Sequence, residues 1–162
     1  MKYRIRPARV SDMPDVLRLI YELAEFEREP DAVEVTLQDL ERDGFGDAPK
    51  FQCFVAERGR RIDGMALIYP RYSTWKGPAI HLEDLIVTER ARGEGLGSAL
   101  LTAVIRYASD WGARRVNWEV LDWNEPAIGF YESRGAKVLR DWDVVQLDRA
   151  GIANYLENYE NI

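Results

Sequence analysis

The stretch Arg92-Gly93-Glu94-Gly95-Leu96-Gly97-Ser98 follows a run at 79–88, with Leu82-Glu-Asp-Leu-Ile-Val87 at its heart, that reads as a strand. It precedes a run in which Leu96, Ala99, Leu100, Ala103, Val104, Tyr107, Ala108 and Trp111 share one helical stripe. Glycines there let the backbone turn tightly and approach a ligand. The first amides of the helix have no partners inside it, and the helix dipole adds partial positive charge. Such an arrangement binds anions, and a pyrophosphate is its natural guest. Two other readings stay open on the spacing. One is a tight strand-to-helix turn that holds nothing. The other is a dinucleotide site, which wants G-x-G-x-x-G; Ser98 stands where the third glycine should be, while Glu119 lies near the distance of a ribose-binding acid.

Other chemistries are poorly supplied. The chain has one cysteine, Cys53, and one histidine, His81. That excludes an intrachain disulfide framework and a thiolate zinc cluster, and no metal is expected. A Ser-His or Cys-His pair would have to use His81, which reads as a strand-packing residue, as Cys53 reads as a small core residue. The net charge of −6 gives no basic face for nucleic acid. No apolar run approaches a membrane span, and the N-terminus lacks a signal-peptide pattern, so a cytoplasmic protein is expected. Charge is nevertheless segregated: residues 22–47 carry −8 and the remainder +2. Such a surface is either a solvated helical face or a rim that concentrates a cationic amine.

The elements that must position these residues can be read along the chain. Residues 3–6 alternate as a strand. Ser11 can cap a helix with Met13, Val16, Leu17, Ile20, Leu23 and Ala24 on its buried face. Thr36 opens a shorter helix that stops at Gly44. Strands follow at 51–57, 62–72 and 79–88, with Pro70 demanding an edge, a bulge or an early stop. After the glycine loop and its helix comes a strand at 115–121. Asn124 caps a helix through Ser133, with Pro126 in its first turn and Gly135 just past its end. Residues 138–148 hold one or two more strands, then an acidic tail. The order implies an α/β fold: one domain over 1–162, with a central mixed sheet of six to seven strands and helices on both faces.

The pattern R-x-x-G-x-G at Arg92, Gly95 and Gly97 resembles motif A of the GNAT superfamily of N-acetyltransferases. Glu22-Leu-Ala-Glu-Phe-Glu27, Asp43-Gly-Phe-Gly-Asp47, Tyr72-Ser-Thr-Trp-Lys-Gly77, Leu82-Glu-Asp84 and Leu121-Asp-Trp-Asn124 resemble its spermidine/spermine N-acetyltransferase family, above all the diamine- and thialysine-acetylating branch. The resemblance implies a GNAT fold, acetyl-CoA as donor, a small primary amine as acceptor, and a homodimer. It also implies roles. Leu85, Ile86 and Val87 would offer backbone to the pantetheine arm. Arg92, Gly93, Glu94, Gly95, Leu96, Gly97 and Ser98 would hold the pyrophosphate. Asn124, Glu125, Pro126 and Ala127 would line the far side of the CoA channel, and Tyr131 would face the thioester sulfur. Phe26, Glu27, Glu83, Asn117, Trp118 and Glu119 match positions that contact the amine. One position departs: Arg140 stands where polyamine acetylases carry an acid before the tryptophan, here Trp142. A cation there disfavours a long polyamine and suits an acceptor that bears a carboxylate, such as a lysine- or ornithine-like amino acid.

The chemistry explains these residue types. An alkylammonium has a pKa near ~10.4 and must lose a proton before it attacks. Glu83 can hold the cation and then accept that proton, and partial burial is expected to raise its pKa. Strict alternation puts Glu83 on one strand face with His81, Leu85 and Val87, and Leu82, Asp84 and Ile86 on the other. Asp84 reads as structural, capping a turn or pairing with an arginine. Tyr131, with a phenol near ~10, can protonate the departing thiolate. The strand amide of Val87 or Ile86 is the candidate oxyanion donor. Trp75, in a loop beside Lys76, is a candidate for cation–π contact with the amine, whereas most of the five tryptophans are expected to fill core and interface. Two competing functions stand beside this reading, a non-catalytic acetyl-CoA sensor and a protein or peptide N-acetyltransferase.

Overall fold

The computed structural model describes residues 3–159. They form two compact units, the first ending at Leu121 and the second beginning at Asp122. The first unit is built on a five-stranded sheet in the order β1-β2-β3-β4-β5, with β1 (Arg4–Pro7), β2 (Gln52–Arg58), β3 (Arg61–Ser73), β4 (Gly77–Val87) and β5 (Val116–Asn117). The first four strands pair antiparallel, and β5 joins β4 in parallel, so the sheet is mixed.

Helices cover both faces. On one, α1 (Met13–Phe26) and α2 (Leu37–Phe45) pack Met13, Val16, Leu19 and Leu40 against Cys53, Val55, Met65, Leu67 and Ile86. On the other, α3 (Leu96–Asp110) lies over Gly64, where a Cβ would stand 3.1 Å from Leu100 Cδ1 and 2.8 Å from the Ile86 carbonyl oxygen. Glycine is therefore required there by close packing rather than by its dihedral angles. Each fully buried aliphatic side chain contributes about 1.5–3 kcal/mol, and the alternation of β2 and β3 feeds both cores.

Helix starts follow local chemistry. Thr36 caps α2 through a reciprocal pair with Asp39: the Asp39 N–H donates to Thr36 Oγ1 at 3.2 Å, and the Thr36 N–H donates to Asp39 Oδ2 at 3.0 Å. The start of α1 differs from expectation. A 3-10 turn at Val10–Asp12 precedes it, and Ser11 does not cap it. The Asp12 carboxylate instead accepts from the Arg9 N–H at 2.7 Å and from the Arg6 guanidinium at 2.7 and 3.0 Å. Helix α2 runs on through Gly44 to Phe45. Pro70 lies within β3, beyond the Gln52↔Ile68 pair that ends β2, so its missing N–H costs no ladder bond to β2.

The second unit contains α4 (Glu125–Glu132) and α5 (Arg149–Tyr159). Two expectations fail at this end of the chain. Only Val116–Asn117 of the strand expected at 115–121 pairs with β4, and 138–148 contributes no strand, so the sheet has five strands among the described residues, not six or seven. The alternating apolar residues that suggested strands there, such as Leu139, Val145 and Leu147, are 63%, 90% and 60% exposed. Periodicity identifies a face that could be buried; it supplies no neighbour to bury it. The acidic tail expected after residue 148 carries α5. Among the described residues no helix is long and apolar enough to cross a membrane.

Candidate active site

The register between β3 and β4 sets the site. Leu67 lies opposite Asp84 and Ile68 opposite Leu82, which leaves Glu83 as an extra residue in β4. This β-bulge breaks the alternation assumed from sequence. Asp84 shares a face with its partner Leu67, and His81 shares that same face through its partner Tyr69, two residues on from Leu67. His81 and Asp84 thus both point to the α1 side, where strict alternation would have separated them.

Glu83 is held rather than free. The Tyr69 hydroxyl donates to its Oε2 at 2.9 Å, and His81 Nε2 lies 3.3 Å from the same oxygen. His81 is buried, with its ring 5.0 Å from that of Tyr69, and its Nδ1 lies 2.6 Å from Asn117 Nδ2. The amide donating to Nδ1 places the ring proton on Nε2, aimed at Glu83. These hydrogen bonds, His81 first and Tyr69 after, lower the Glu83 carboxyl below its ordinary value against the opposing pull of desolvation. The sequence expectation was the reverse: burial was to raise it. Glu83 is exposed, and stabilisation of the anion by two donors outweighs the loss of water.

Asp84 behaves in the opposite way. It is half-buried, and desolvation first, then the negative charges of Glu83 and Glu27, push its carboxyl up to about 7 despite His81 nearby. No arginine pairs with it among the described residues. Glu27, at the C-terminal end of α1, is itself raised by desolvation. Glu119 adds a further negative field at Tyr69, whose hydroxyl is pushed up to about 12, by burial above all and then by Glu83. The C-terminal dipole of α1 has the same sign as these carboxylates. No group of three or more acidic, histidine or cysteine side chains among the described residues is placed to hold a metal ion.

The glycine loop lies next to this acidic site. The Arg92 Nε–H donates to the Val87 carbonyl at 3.1 Å, and its guanidinium stands 5.4 Å from the Phe26 ring at the end of α1. Glu22 fixes the approach, accepting from Thr88 Oγ1 at 2.9 Å and from the Glu89 N–H at 3.0 Å. Glu94 pairs with Arg58. Gly93 and Gly95 have φ of +79° and +81°, which L side chains rarely adopt, and a Cβ built on either meets nothing within 4 Å. The space beside these two glycines is open, and α3 begins directly after them at Leu96, where a helix N-terminus favours an anion. These residues fit the diphosphate of a CoA thioester. From Leu82 to Val87 the outer edge of β4 has no β partner among the described residues, because β5 pairs only at Ile80↔Val116 and His81↔Asn117. That edge of β4 is therefore open to a ligand, apart from the Val87 carbonyl that Arg92 holds.

The first unit thus brings together Phe26, Glu27, Glu83, Asn117, Glu119 and the 92–98 loop. Trp118 is half-buried next to Asn117. Trp75 is not brought to this group: it is 82% exposed at the tip of the β3–β4 hairpin, and six residues of strand from Gly77 to Glu83 span about 20 Å. None of the five tryptophans is buried, so none fills the core, one of the two places, core or interface, expected for most of them. Sequence reasoning passed over Tyr69. The hairpin register was the available signal for Tyr69, but the bulge makes that register unreadable by counting.

In the second unit, Asn124 caps α4 as expected, its Oδ1 accepting from the Ala127 N–H at 3.3 Å, and Glu125 and Pro126 form the first turn. Tyr131 lies on α4, its ring 5.2 Å from Phe130, and burial raises its phenol. Arg140 is exposed. Cys53 is buried, and desolvation pushes its thiol up to about 12, which leaves no thiolate to carry an acyl group at neutral pH.

Comparison with known proteins agrees with this arrangement. A family model described as the acetyltransferase (GNAT) family matches residues 14–136. The thialysine N-epsilon-acetyltransferase of Bos taurus is 41% identical over 145 residues, 85% of each chain. The human spermidine/spermine N(1)-acetyltransferase-like protein 1 is 38% identical over 157 residues, 91% of this chain and 23% of that one. Among solved structures, an integron cassette protein from the mobile metagenome of V. cholerae superposes with a TM-score of 0.78 at 23% identity, covering 98% of this chain and 99% of that one. An aminoglycoside acetyltransferase from a soil metagenome, in complex with trehalose, gives 0.71 at 19% identity, covering 89% and 97%. At those identities the structures speak to the fold alone. With its glycine loop, mixed sheet and sequence matched from residue 14 to residue 136, this chain belongs to the acetyltransferase (GNAT) family.

Proposed function

We propose that this acetyltransferase moves the acetyl group of acetyl-CoA directly to a primary amine of a small molecule, with a lysine-, ornithine- or thialysine-like amino acid as the preferred acceptor. The carrying observation is the anionic site at β4: Glu83, fixed by Tyr69 and His81, with Glu27, Asp84 and Glu119 around it, beside an open anion-binding loop. A cationic amine is drawn to the first and a diphosphate to the second. Acetyl-CoA, when bound, supplies an activated acyl carbon and a thiol leaving group. Arg92 and the amides from Gly93 to Ser98 hold its diphosphate, and Leu85, Ile86 and Val87 hydrogen-bond its arm. Glu83 anchors the ammonium, with Phe26, Glu27, Asn117, Trp118 and Glu119 lining the amine side. Tyr131 gives a proton to the thiol sulfur. Relatives support the substrate class: the bovine and murine proteins are named for thialysine, and an Arabidopsis thaliana relative, 39% identical over 87 residues, for L-ornithine. Arg140 supports an acceptor carrying a carboxylate. A homodimer and a cytoplasmic location complete the proposal, and light scattering in solution tests the first.

An acceptor panel of thialysine, lysine, ornithine, putrescine and spermidine, read by release of free thiol, tests the reading. The amino acids should show the higher kcat/KM, and Arg140→Glu should move the ratio toward spermidine by about tenfold, the size of one charge reversal at a partly exposed site. Binding of acetyl-CoA without turnover on any amine would overturn it.

A further inference from the structure

We propose that Asp84, and not Glu83, takes the proton from the acceptor ammonium, while Glu83 stays charged and anchors it. The inference rests on the amine-acetylation reading and goes beyond it by separating two adjacent carboxylates into two roles. The bulge is the structural cause. By inserting Glu83 as an extra residue, it turns Asp84 to the α1 face beside Tyr69, His81 and the end of α1, where Glu27 lies. Glu83 then has one oxygen engaged by Tyr69 and His81, and its Oε1 remains for a ligand. Asp84 has no hydrogen bond or ion pair from a cation among the described residues, and only the weak pull of His81 favours its anion before a substrate arrives.

The groups facing Asp84 are Glu83 and His81 on its own strand, Glu27 from α1, and Cys53 from β2, whose thiol feels the Asp84 charge; Tyr69 and Asn117 reach it only through Glu83 and His81. Glu83 and Glu27 hold its proton on, and His81 acts weakly against them. The free energy of the proton transfer separates the two candidates. Moving a proton from an ammonium near ~10.4 to a carboxylate at about 7 is uphill by about three pH units. Moving it to Glu83, whose carboxyl is held below its ordinary value by His81 and Tyr69, is further uphill. A base that gains and loses its proton near the working pH is also ready for the next turnover.

The step balances. The ammonium gives one proton to the Asp84 carboxylate, and its freed electron pair forms the C–N bond as the C–S pair departs with sulfur. The nitrogen's second proton compensates the one that sulfur takes from Tyr131. Ammonium and thioester become amide, thiol and one proton, which Asp84 passes to water.

A carboxyl-carbon NMR titration of the full chain without ligands reads the first half of the proposal, with the Asp84 signal identified by its absence in Asp84→Asn. A midpoint near 7 is expected; a midpoint near 4 overturns the proposal whether or not any variant folds. The second half is read from the pH dependence of kcat/KM for the best amine in the panel. Asp84→Asn should lower kcat by about 100-fold or more and remove the limb near pH 7, and Asp84→Glu should restore a limb. Glu83→Gln should raise KM about tenfold and keep the limb. If Asp84→Asn keeps kcat within threefold with the limb intact, the proposal falls while amine acetylation stands. If the wild type acetylates no amine, the reading beneath it falls and takes the proposal with it.

Discussion

A phenol that is to give up a proton must hold it at rest, and burial raises Tyr131 above the ordinary tyrosine value. Tyr131→Phe removes the proton and little volume. It should lower kcat by about 100-fold, the usual scale of a lost general acid, and leave acetyl-CoA affinity within about threefold by calorimetry. An unchanged kcat would remove Tyr131 from proton transfer. The residue scale also shows where sequence reading stops. Glu83 and Asp84 are neighbours of like type, and composition cannot say which is the stronger acid. Two donors on one carboxylate and none on the other settle it, and those donors, Tyr69 and His81, are 14 and two residues from Glu83.

At the scale of elements, the glycine loop was legible because its chemistry is local: positive φ at Gly93 and Gly95, then a helix whose first amides lack partners. Gly95 occupies the N-cap of α3 in a left-handed conformation with open space before it. Gly95→Ala therefore meets no steric clash and costs only the dihedral penalty, about 1–2 kcal/mol. It should lower the melting temperature by a few degrees. It should also weaken CoA binding about tenfold by re-aiming the loop amides, measured by calorimetry. Equal affinity in the variant would argue that the loop amides do not touch the diphosphate. The long helices and the first four strands were legible for a related reason, since apolar spacing reports a face to be buried. The bulge in β4, the shortness of β5 and the absence of strand at 138–148 were not, because each depends on what another segment offers as a partner.

For the whole molecule, ion pairs and burial give the pH response two opposing parts. Asp12, bonded to Arg6, and Asp63, fully buried between Arg61, Arg90 and Tyr3, are held below their unfolded values, Asp63 at about 2. Their stabilisation is present above the unfolded value near ~3.9 and is lost as pH falls toward about 2. Asp84 has the opposite sign. Its folded value of about 7 favours folding at low pH, and that contribution is lost as pH rises from about 4 to about 7, where the unfolded chain has already released the proton. The urea midpoint of Asp84→Asn, relative to the wild type, should accordingly rise between pH 5 and pH 7.5. A constant difference would mean that Asp84 titrates normally. The sequence by itself determined the family, the glycine loop, the order of most elements and the residue types at the proposed amine site, since these follow from local backbone chemistry and short-range periodicity. Only the tertiary structure decided which carboxylate is anionic, which strand face each one occupies, and that Trp75 stands apart from them. Each of those depends on register and desolvation, which arise when segments far apart in the chain meet.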